Sequence, residues 1–593
     1  MAGLVLLCAL AFWPMFANGF VWDDLVFIRD NEVIRGFWPL ARFLNAPPGL
    51  SQRPLMMFSF ALDYHLFGLD PFGYHLANFL LHVLCVLGVV FLGQRLFGEK
   101  NAGLLAGALF AVHPGHAEAV ISFLGRSDLL ASAFLIWGLW AYLKSSSSQN
   151  WQRPVLFGAA IMSLALACLS KDTAVIFPGL VVLCDWAQGN LAKGRRRSTL
   201  WRWIPLIMVL LLYGVFRRVT AGDDGGQITW WGGSPWKTVL LAFVAYGEYI
   251  RLSMVPLTLS PWYEIEQLGA QGFRVGLGLA LTLLTFAGLV LLVRRSLRGV
   301  FLVGWFALSL SPVLVGWLLV GLGSRAWGVL PGTMMAERWF YLPSMATCFA
   351  GAWGWSTLKV KMNGSARTAW IALLALILVL FGAYSLTWCT VWRNQKVLGQ
   401  TILSRFPRSY LGHVVLGAGL IEDGRIQDGL THYREAVSLR PDLIWIRYNF
   451  AVALRDLGRT KEAIEEYHAV LRIQPQNSSA HNNLGDLLYE QGKLPEAEAE
   501  FRETVRLDPD HVSAHVNLGN VLDELGRPGE AEAEYRKALR LDPEFAGAYY
   551  NLAIALLHQG KTQEAVQALE STLAQGGGNR DEVESLLRKL REP

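Results

Sequence analysis

Up to about Trp392 the chain is a succession of apolar runs, each about the length a helix needs to cross the hydrocarbon core of a bilayer. Short loops rich in Arg, Lys, Gly and Trp separate them. A backbone in lipid must satisfy its own polar groups, so runs of this kind predict a bundle of membrane helices. The bulk composition agrees: 53% hydrophobic residues and a mean hydropathy of +0.33 over 593 residues are too apolar for an ordinary soluble chain. A net charge of +5 offers no tail or stripe for nucleic acid, and the basic residues read as topology signals. All six cysteines (Cys8, Cys85, Cys168, Cys184, Cys348 and Cys389) lie in or beside apolar segments, so no disulfide or zinc framework is readable. The first run, to about Phe20, lacks a basic leader and passes straight into an acidic, aromatic loop, which predicts a first transmembrane helix rather than a cleaved signal.

The pattern changes after Trp392. Glycines recur at 424, 458, 492, 526 and 560, prolines at 441, 475, 509 and 543, and alanines at 463, 497, 531 and 565, a spacing of 34 throughout. This is the tetratricopeptide period, and His481–Leu488 and His515–Leu522, followed by Ala497 with Phe501 and Ala531 with Tyr535, resemble its helix-turn-helix pattern. The glycine closes the first helix, the alanine lets the second approach and the proline ends the unit, which predicts about five stacked hairpins with a concave groove. Asn449, Asn483, Asn517 and Asn551 occupy one register on the groove-lining helix. An amide donates and accepts at once, so the ladder is a candidate for holding an extended acceptor peptide, as resembles the superhelix of O-linked N-acetylglucosamine transferase. The other reading is that these amides satisfy neighbouring repeats.

Basic loops mark the cytoplasmic side: Arg95 and Lys100, Lys144 and Arg153, Lys193 with Arg195–Arg197, Arg294 with Arg295 and Arg298, and Lys359 with Lys361 and Arg367. Helices near 2–19, 73–97, 102–121, 127–143, 154–169, 173–187, 200–218, 273–293, 299–320, 337–357 and 369–389, about eleven spans, put every one of these loops inside. Val239–Val255, with Glu248 and Arg251, must then be interfacial or re-entrant. The expected arrangement has the N-terminus in the cytoplasm. It places the first outer loop (about 20–72), the Trp230 region, the Glu337 region and the repeats on the outer side, facing a bacterial periplasm or an endoplasmic reticulum lumen.

Two adjacent carboxylates, Asp23 and Asp24, follow the first run directly. The same predicted face carries Arg53-Pro54-Leu55, Gly73-Tyr74-His75-Leu76-Ala77-Asn78, His113-Pro114 through Glu118, Gly125-Arg126-Ser127-Asp128, Ser170-Lys171-Asp172 and Glu337-Arg338-Trp339-Phe340-Tyr341-Leu342-Pro343. With the repeats, these motifs resemble the transmembrane and tetratricopeptide-repeat O-mannosyltransferases over nearly the whole chain. The resemblance implies an all-α protein: a multi-spanning GT-C bundle at 1–392, a linker at 393–408, repeats at 409–579 and a capping helix or tail at 580–593. It also implies a polyprenyl phosphate (dolichyl or undecaprenyl) carrying mannose as donor, with no prosthetic group and the need for a divalent metal left open. Members carry Asp-Glu where this chain has Asp23-Asp24, so the first position maps to Asp23 as base and the second is one methylene shorter.

Such an assignment is chemically sound. A Ser or Thr hydroxyl is a weak nucleophile, a carboxylate can take its proton as it attacks the anomeric carbon, and single displacement inverts that centre. Departure of a lipid phosphate calls for cations, and Arg338, Arg126, Lys171 and Arg53 are available, with Glu337 expected to hold the Arg338 fork. His75, Asn78 and His82 form one stripe on their helix, more readily packing than chemistry. His75, His113, His116, Glu118, Asp128, Glu337 and Tyr341 are read as lining the outer cavity. His113, His116 and Glu118 lack the His-Glu-x-x-His spacing, so no metal site is assigned. The expected function is sugar transfer to Ser or Thr of an exported protein held by the repeats. Two alternatives remain: transfer of a lipid-linked glycan to a lipid or polysaccharide, and a non-enzymatic membrane-anchored scaffold.

Overall fold

The computed structural model describes residues 1–38, 43–44, 53–191, 196–220, 234–256, 258–264, 272–293, 296–321, 335–360, 362–576 and 580–591. Among these the chain is helical, with 3-10 and π turns and no strand. The Trp230 region and Lys193, Arg195, Arg294, Arg295 and Lys361 lie outside the described residues. Two compact units divide at Gly419.

The first unit is built from α1 (Ala2–Phe12), α2 (Pro54–Phe67), α3 (Pro71–Phe97), α4 (Lys100–Ala111), α5 (Ala117–Ile121), α6 (Arg126–Ser147), α7 (Gln152–Ser170), α8 (Phe177–Ala187), α9 (Arg196–Thr220), α10 (Pro235–Met254), α11 (Gly272–Val293), α12 (Leu297–Gly321), α13 (Ser344–Leu358) and α14 (Gly364–Cys389). Among the described residues five helices are long and apolar enough to cross a membrane: Pro71–Phe97, Phe123–Ser147, Gln152–Ser170, Thr199–Thr220 and Gly364–Trp392. The α4/α5 pair makes a sixth if counted as one span, bent by 63°.

Several of the expected spans are not single α-helices, and each change of course stands at a proline. Residues 2–19 are α1 and a 3-10 turn containing Pro14, 102–121 turn at His113-Pro114, 173–187 are a 3-10 turn and then α8 with Pro178 in its first turn, and 337–357 are a 3-10 turn and then α13 after Pro343. Proline has no N–H and a fixed φ, so it suits a first helical turn and disfavours a helix interior, although α9 runs on through Pro205. The stretch around Val239–Val255 is a full helix, α10. Its Glu248 is held by Arg251 at 2.7 Å and Arg274 at 2.5 Å, and it is not among the helices apolar enough to span.

Small residues set the closest helix contacts. A Cβ on Gly103 would fall 2.5 Å from the Val90 carbonyl oxygen, and one on Gly107 would meet the Val90 side chain at 2.3 Å, so α3 and α4 pack nearly backbone to backbone. The segment about 20–72, expected as the first outer loop, carries helices and turns of its own among its described residues. A π turn (Leu25–Arg29), a 3-10 turn (Glu32–Arg35) and α2 bury Ile28, Ile34, Phe43, Met56, Met57 and Phe60 against Tyr74, Phe123 and Leu130. The segment 393–408, expected as a linker, contains the helix Gln395–Arg405, capped by the Asn394 side chain, which accepts the Val397 N–H at 3.0 Å.

After helices at 410–422 and 426–439, the helices pair as hairpins: 444–456 with 460–473, 478–490 with 494–507, 512–524 with 528–541 and 546–558 with 562–574, closed by Arg580–Arg591. Within the second unit, Gly458, Gly492, Gly526 and Gly560 have φ between +70° and +75°, the left-handed turn that only glycine takes without cost. Ala463, Ala497, Ala531 and Ala565 are fully buried, as close helix approach requires. His481 and His515 each meet a glutamate on the partner helix of their hairpin, Glu500 at 2.5 Å and Glu534 at 2.6 Å, and each also contacts the carbonyl of the preceding proline.

Candidate active site

Trp22 carries φ +53°, a left-handed backbone that a bulky residue adopts only under constraint. The turn it makes lets the Asp24 carboxylate accept the Val21 N–H at 3.1 Å, and a second N–H, from Phe123, also reaches it. Burial pushes the Asp24 carboxyl well above the carboxylate range, with those two donors opposing. Asp24 thus fastens the turn. Asp23 is left beside Arg338 and Glu118. Burial raises its carboxyl to about 6, the Arg338 charge opposing and the Glu118 charge adding.

Arg338 is fixed by Glu118. The guanidinium pairs with one Glu118 oxygen and the Arg338 N–H donates to the other at 3.1 Å. Glu118 is buried at 1% side-chain exposure while Arg338 keeps 18%, so the cation has a free edge. The expectation that Glu337 holds this fork is overturned. Glu337 is buried and turned the other way, accepting the Ser260 N–H at 2.7 Å and the Tyr263 hydroxyl at 2.8 Å, which pins the segment after α10. Successive residues of a 3-10 turn face different sides, and only one of this pair can face the cluster.

Two more ion pairs stand nearby. Lys171 meets Asp128 at 2.5 Å, and Arg217 meets Asp172 at 3.2 Å with the Tyr213 hydroxyl also on Asp172. Burial brings Lys171 down to about 8, with Asp128 opposing and Arg53 and Arg338 adding to the fall. Arg53 senses the charges of Asp172, Asp128, Arg338 and Arg217, is half-buried, and has no ion-pair partner among the described residues. Asp23, Glu118, Asp128, Lys171, Arg53 and Arg338 therefore belong to one cluster. Arg217 and Asp172 join it unforeseen; the signal was an arginine at the end of an apolar run, where a charge needs a partner or a task.

Arg126 does not face this cluster. It is 1% exposed and fully engaged, with Asp63 at 2.8 Å, the Tyr74 carbonyl at 2.8 Å and the Asn78 side-chain oxygen, while Asn78 donates to the carbonyls of Val120 and Ser122 at 3.1 and 3.2 Å. A cation this well partnered is a clamp between α2, α3 and α6, not an open phosphate ligand. Arg126→Gln is expected to cost about 3–5 kcal/mol by stranding buried Asp63, read as a lowered melting temperature of the detergent-purified chain.

Four residues read as cavity lining are instead inside the helix packing. His75 stacks on Phe123 and contacts the Asn18 carbonyl at 3.3 Å, His113 accepts the Gly115 N–H at 3.1 Å, His116 bonds Ser344 at 2.7 Å, and Tyr341 bonds His82 at 2.7 Å. Each is 3% exposed or less. The positions of His113 and His116 follow from the bend of 63° at His113-Pro114, which turns α5 away from the axis of α4. No group of three His, Cys, Asp or Glu side chains among the described residues is arranged to hold a metal ion. In the second unit the ladder amides are partly committed between repeats: Asn517 donates to Asp486 at 2.7 Å, Asn551 to Asn520 at 2.8 Å, and Asn483 to the hydroxyls of Tyr448 and Tyr467 at 2.9 and 3.2 Å. Asn449 is exposed.

The first unit thus holds apolar helices long enough to cross a membrane together with an acid and arginine cluster, and the second holds 34-residue helical repeats. Family comparisons agree. A model described as dolichyl-phosphate-mannose-protein mannosyltransferase matches residues 51–221, and one described as tetratricopeptide repeat matches 448–512 and 516–580. Protein O-mannosyl-transferase Tmtc3 of Drosophila melanogaster is 27% identical over 526 residues, covering 76% of this chain and 56% of that protein. Human protein O-mannosyl-transferase TMTC3 is 27% identical over 499 residues, covering 77% and 52%. The chain is thus similar to protein O-mannosyl-transferases over about three quarters of its length. It spans between 52% and 63% of the length of the first such relatives. Among solved structures, Pseudomonas aeruginosa pilF matches with a TM-score of 0.28 at 26% identity, covering 32% of this chain and 84% of that one.

Proposed function

We propose that the chain is an integral membrane glycosyltransferase that moves a sugar, mannose by its relatives, from a polyprenyl phosphate to Ser or Thr hydroxyls of exported proteins. The observation that carries the reading is Asp23: a half-buried carboxyl raised to about 6, in the electrostatic field of an arginine that Glu118 fixes. A base of that strength is largely ionised at neutral pH yet basic enough to accept a hydroxyl proton as the oxygen attacks. The new C–O bond forms on the face of the anomeric carbon opposite the departing phosphate, so the centre inverts. The bond from sugar to phosphate breaks with its electron pair on the phosphate, and Arg338, Lys171 and Arg53 meet that charge. Asp24 holds the turn that presents Asp23.

In the same reading the basic loops lie in the cytoplasm with the N-terminus, and the site and the repeats face outward. The repeats hold the acceptor through the groove, using the ladder oxygens and the exposed Asn449. The test is direct. Purified chain incubated with dolichyl-phosphate and undecaprenyl-phosphate mannose and with Ser/Thr peptides should yield O-linked hexose on the peptide by mass spectrometry. Hexose found only on lipid or glycan acceptors would overturn the protein-acceptor reading, and no transfer to any acceptor would overturn the enzyme.

A further inference from the structure

At the end of the bundle away from the acid cluster, a groove of about 460 Å³ opens between α3, α6, α8 and α12. α6 begins at Arg126 beside the cluster and ends at Ser147 in this groove, about 32 Å along its axis at 1.5 Å per residue. That is the thickness of a hydrocarbon core. The groove is lined by Arg95, Arg298, Ser146, Ser147, Gln188 and Asn190 over the apolar floor of Phe97 and Phe301.

Its charge is not balanced. Arg95 donates only to the Ser147 hydroxyl and, at 3.4 Å, to the Leu143 carbonyl. Arg202, behind the serines, donates to the hydroxyls of Ser145 and Ser146 and the Tyr142 carbonyl, with its guanidinium stacked 4.1 Å over the Tyr142 ring. Among the described residues neither of them, nor Arg298, pairs with a carboxylate. The acids at this end are engaged elsewhere: Glu99 with Lys359 at 2.8 Å, and Asp185 with Tyr142, Trp203 and Asn190 at 2.7 to 2.9 Å. In the outer cluster, by contrast, Lys171, Arg217 and Arg338 are each on a carboxylate, with Arg53 the exception.

We propose that this groove is an anion site for a phosphate ester, the guanidinium groups of Arg95 and Arg298 taking its oxygens; the Ser146 and Ser147 hydroxyls, which donate to the Tyr142 and Lys144 carbonyls, and the Asn190 amide, which donates to Asp185, form its wall. Fork-shaped guanidinium donors suit a tetrahedral oxyanion. The groove lies at the level of a lipid headgroup, and its Phe97 and Phe301 floor suits the first carbons of an acyl chain. The phosphate belongs to a lipid headgroup or to a soluble ester, and the two are separable by experiment.

Full-length protein in detergent would be titrated with phosphatidylglycerol, with phosphatidylcholine and with inorganic phosphate, and the bound species read by native mass spectrometry. Retention of phosphatidylglycerol over phosphatidylcholine, weakened about tenfold in R95Q/R298Q and kept in R95K/R298K, establishes a lipid site; tenfold corresponds to about one charged hydrogen bond. Retention of inorganic phosphate with the same dependence on the variants establishes a soluble-phosphate site. Binding unchanged in R95Q/R298Q, or no binding of either probe by the wild type, overturns the proposal. The lysine variant separates lost charge from lost fold.

Discussion

Asp23→Asn is expected to lower sugar transfer by about 10²–10⁴-fold, the usual contribution of a positioned general base. The substitution keeps shape and leaves untouched the two N–H contacts of the turn, which belong to Asp24. The change also has a signature in stability. A carboxyl whose folded value stands at about 6 favours the fold while protonated, and that contribution is lost as pH rises through 6. Asp23→Asn removes an ionised half-buried group, so the variant should melt above the wild type at pH 7.5, and the gap should narrow as pH falls below 6 and close below about 3.8, where the unfolded carboxyl is protonated too. An inactive variant with that melting pattern is folded and lacks its base. Transfer within twofold of wild type would rule Asp23 out.

The second large effect concerns the pair behind Asp23. Transfer requires the ionised carboxylate, so the wild-type rate should fall as pH drops through about 6. Glu118 raises the Asp23 value and Arg338 lowers it. Glu118→Gln should therefore move the acid limb of the rate profile to lower pH, and Arg338→Gln should move it to higher pH. Arg338→Gln should in addition lower the plateau by about 10²–10³-fold, the range seen when one preorganised donor to a developing negative charge is removed. Limbs that move together, or not at all, would mean that the cluster does not set the Asp23 ionisation.

Much of this architecture was written in periodicity. The 34-residue spacing located the hairpins, and the buried Ala463, Ala497, Ala531 and Ala565 sit where close helix packing demands them. Apolar length located α3, α6, α7, α9 and α14, because span length is fixed by the bilayer and helical rise. Broken helices were harder. Pro14, Pro114, Pro178 and Pro343 are visible in the sequence, but whether a proline starts a helix or interrupts one depends on what packs around it. Pairing was hardest of all. Glu337 adjoins Arg338 in sequence, yet Glu118, 220 positions away, holds the fork. Arg126 stood among the phosphate-binding candidates until Asp63, in the segment read as the first outer loop, appeared on its guanidinium. Motif composition identifies charged residues; only the fold tells which charges are already spent on each other.

Every cysteine in the chain is buried and unbonded: Cys8, Cys85, Cys168, Cys184, Cys348 and Cys389. With no crosslink to form or break, the fold is indifferent to the thiol poise of the compartment on either side of the membrane, and a water-soluble maleimide finds no native target. Single cysteines placed at Asn449 or Ser147 would then report from which side of an intact membrane each is reached, without first stripping the protein of its own thiols.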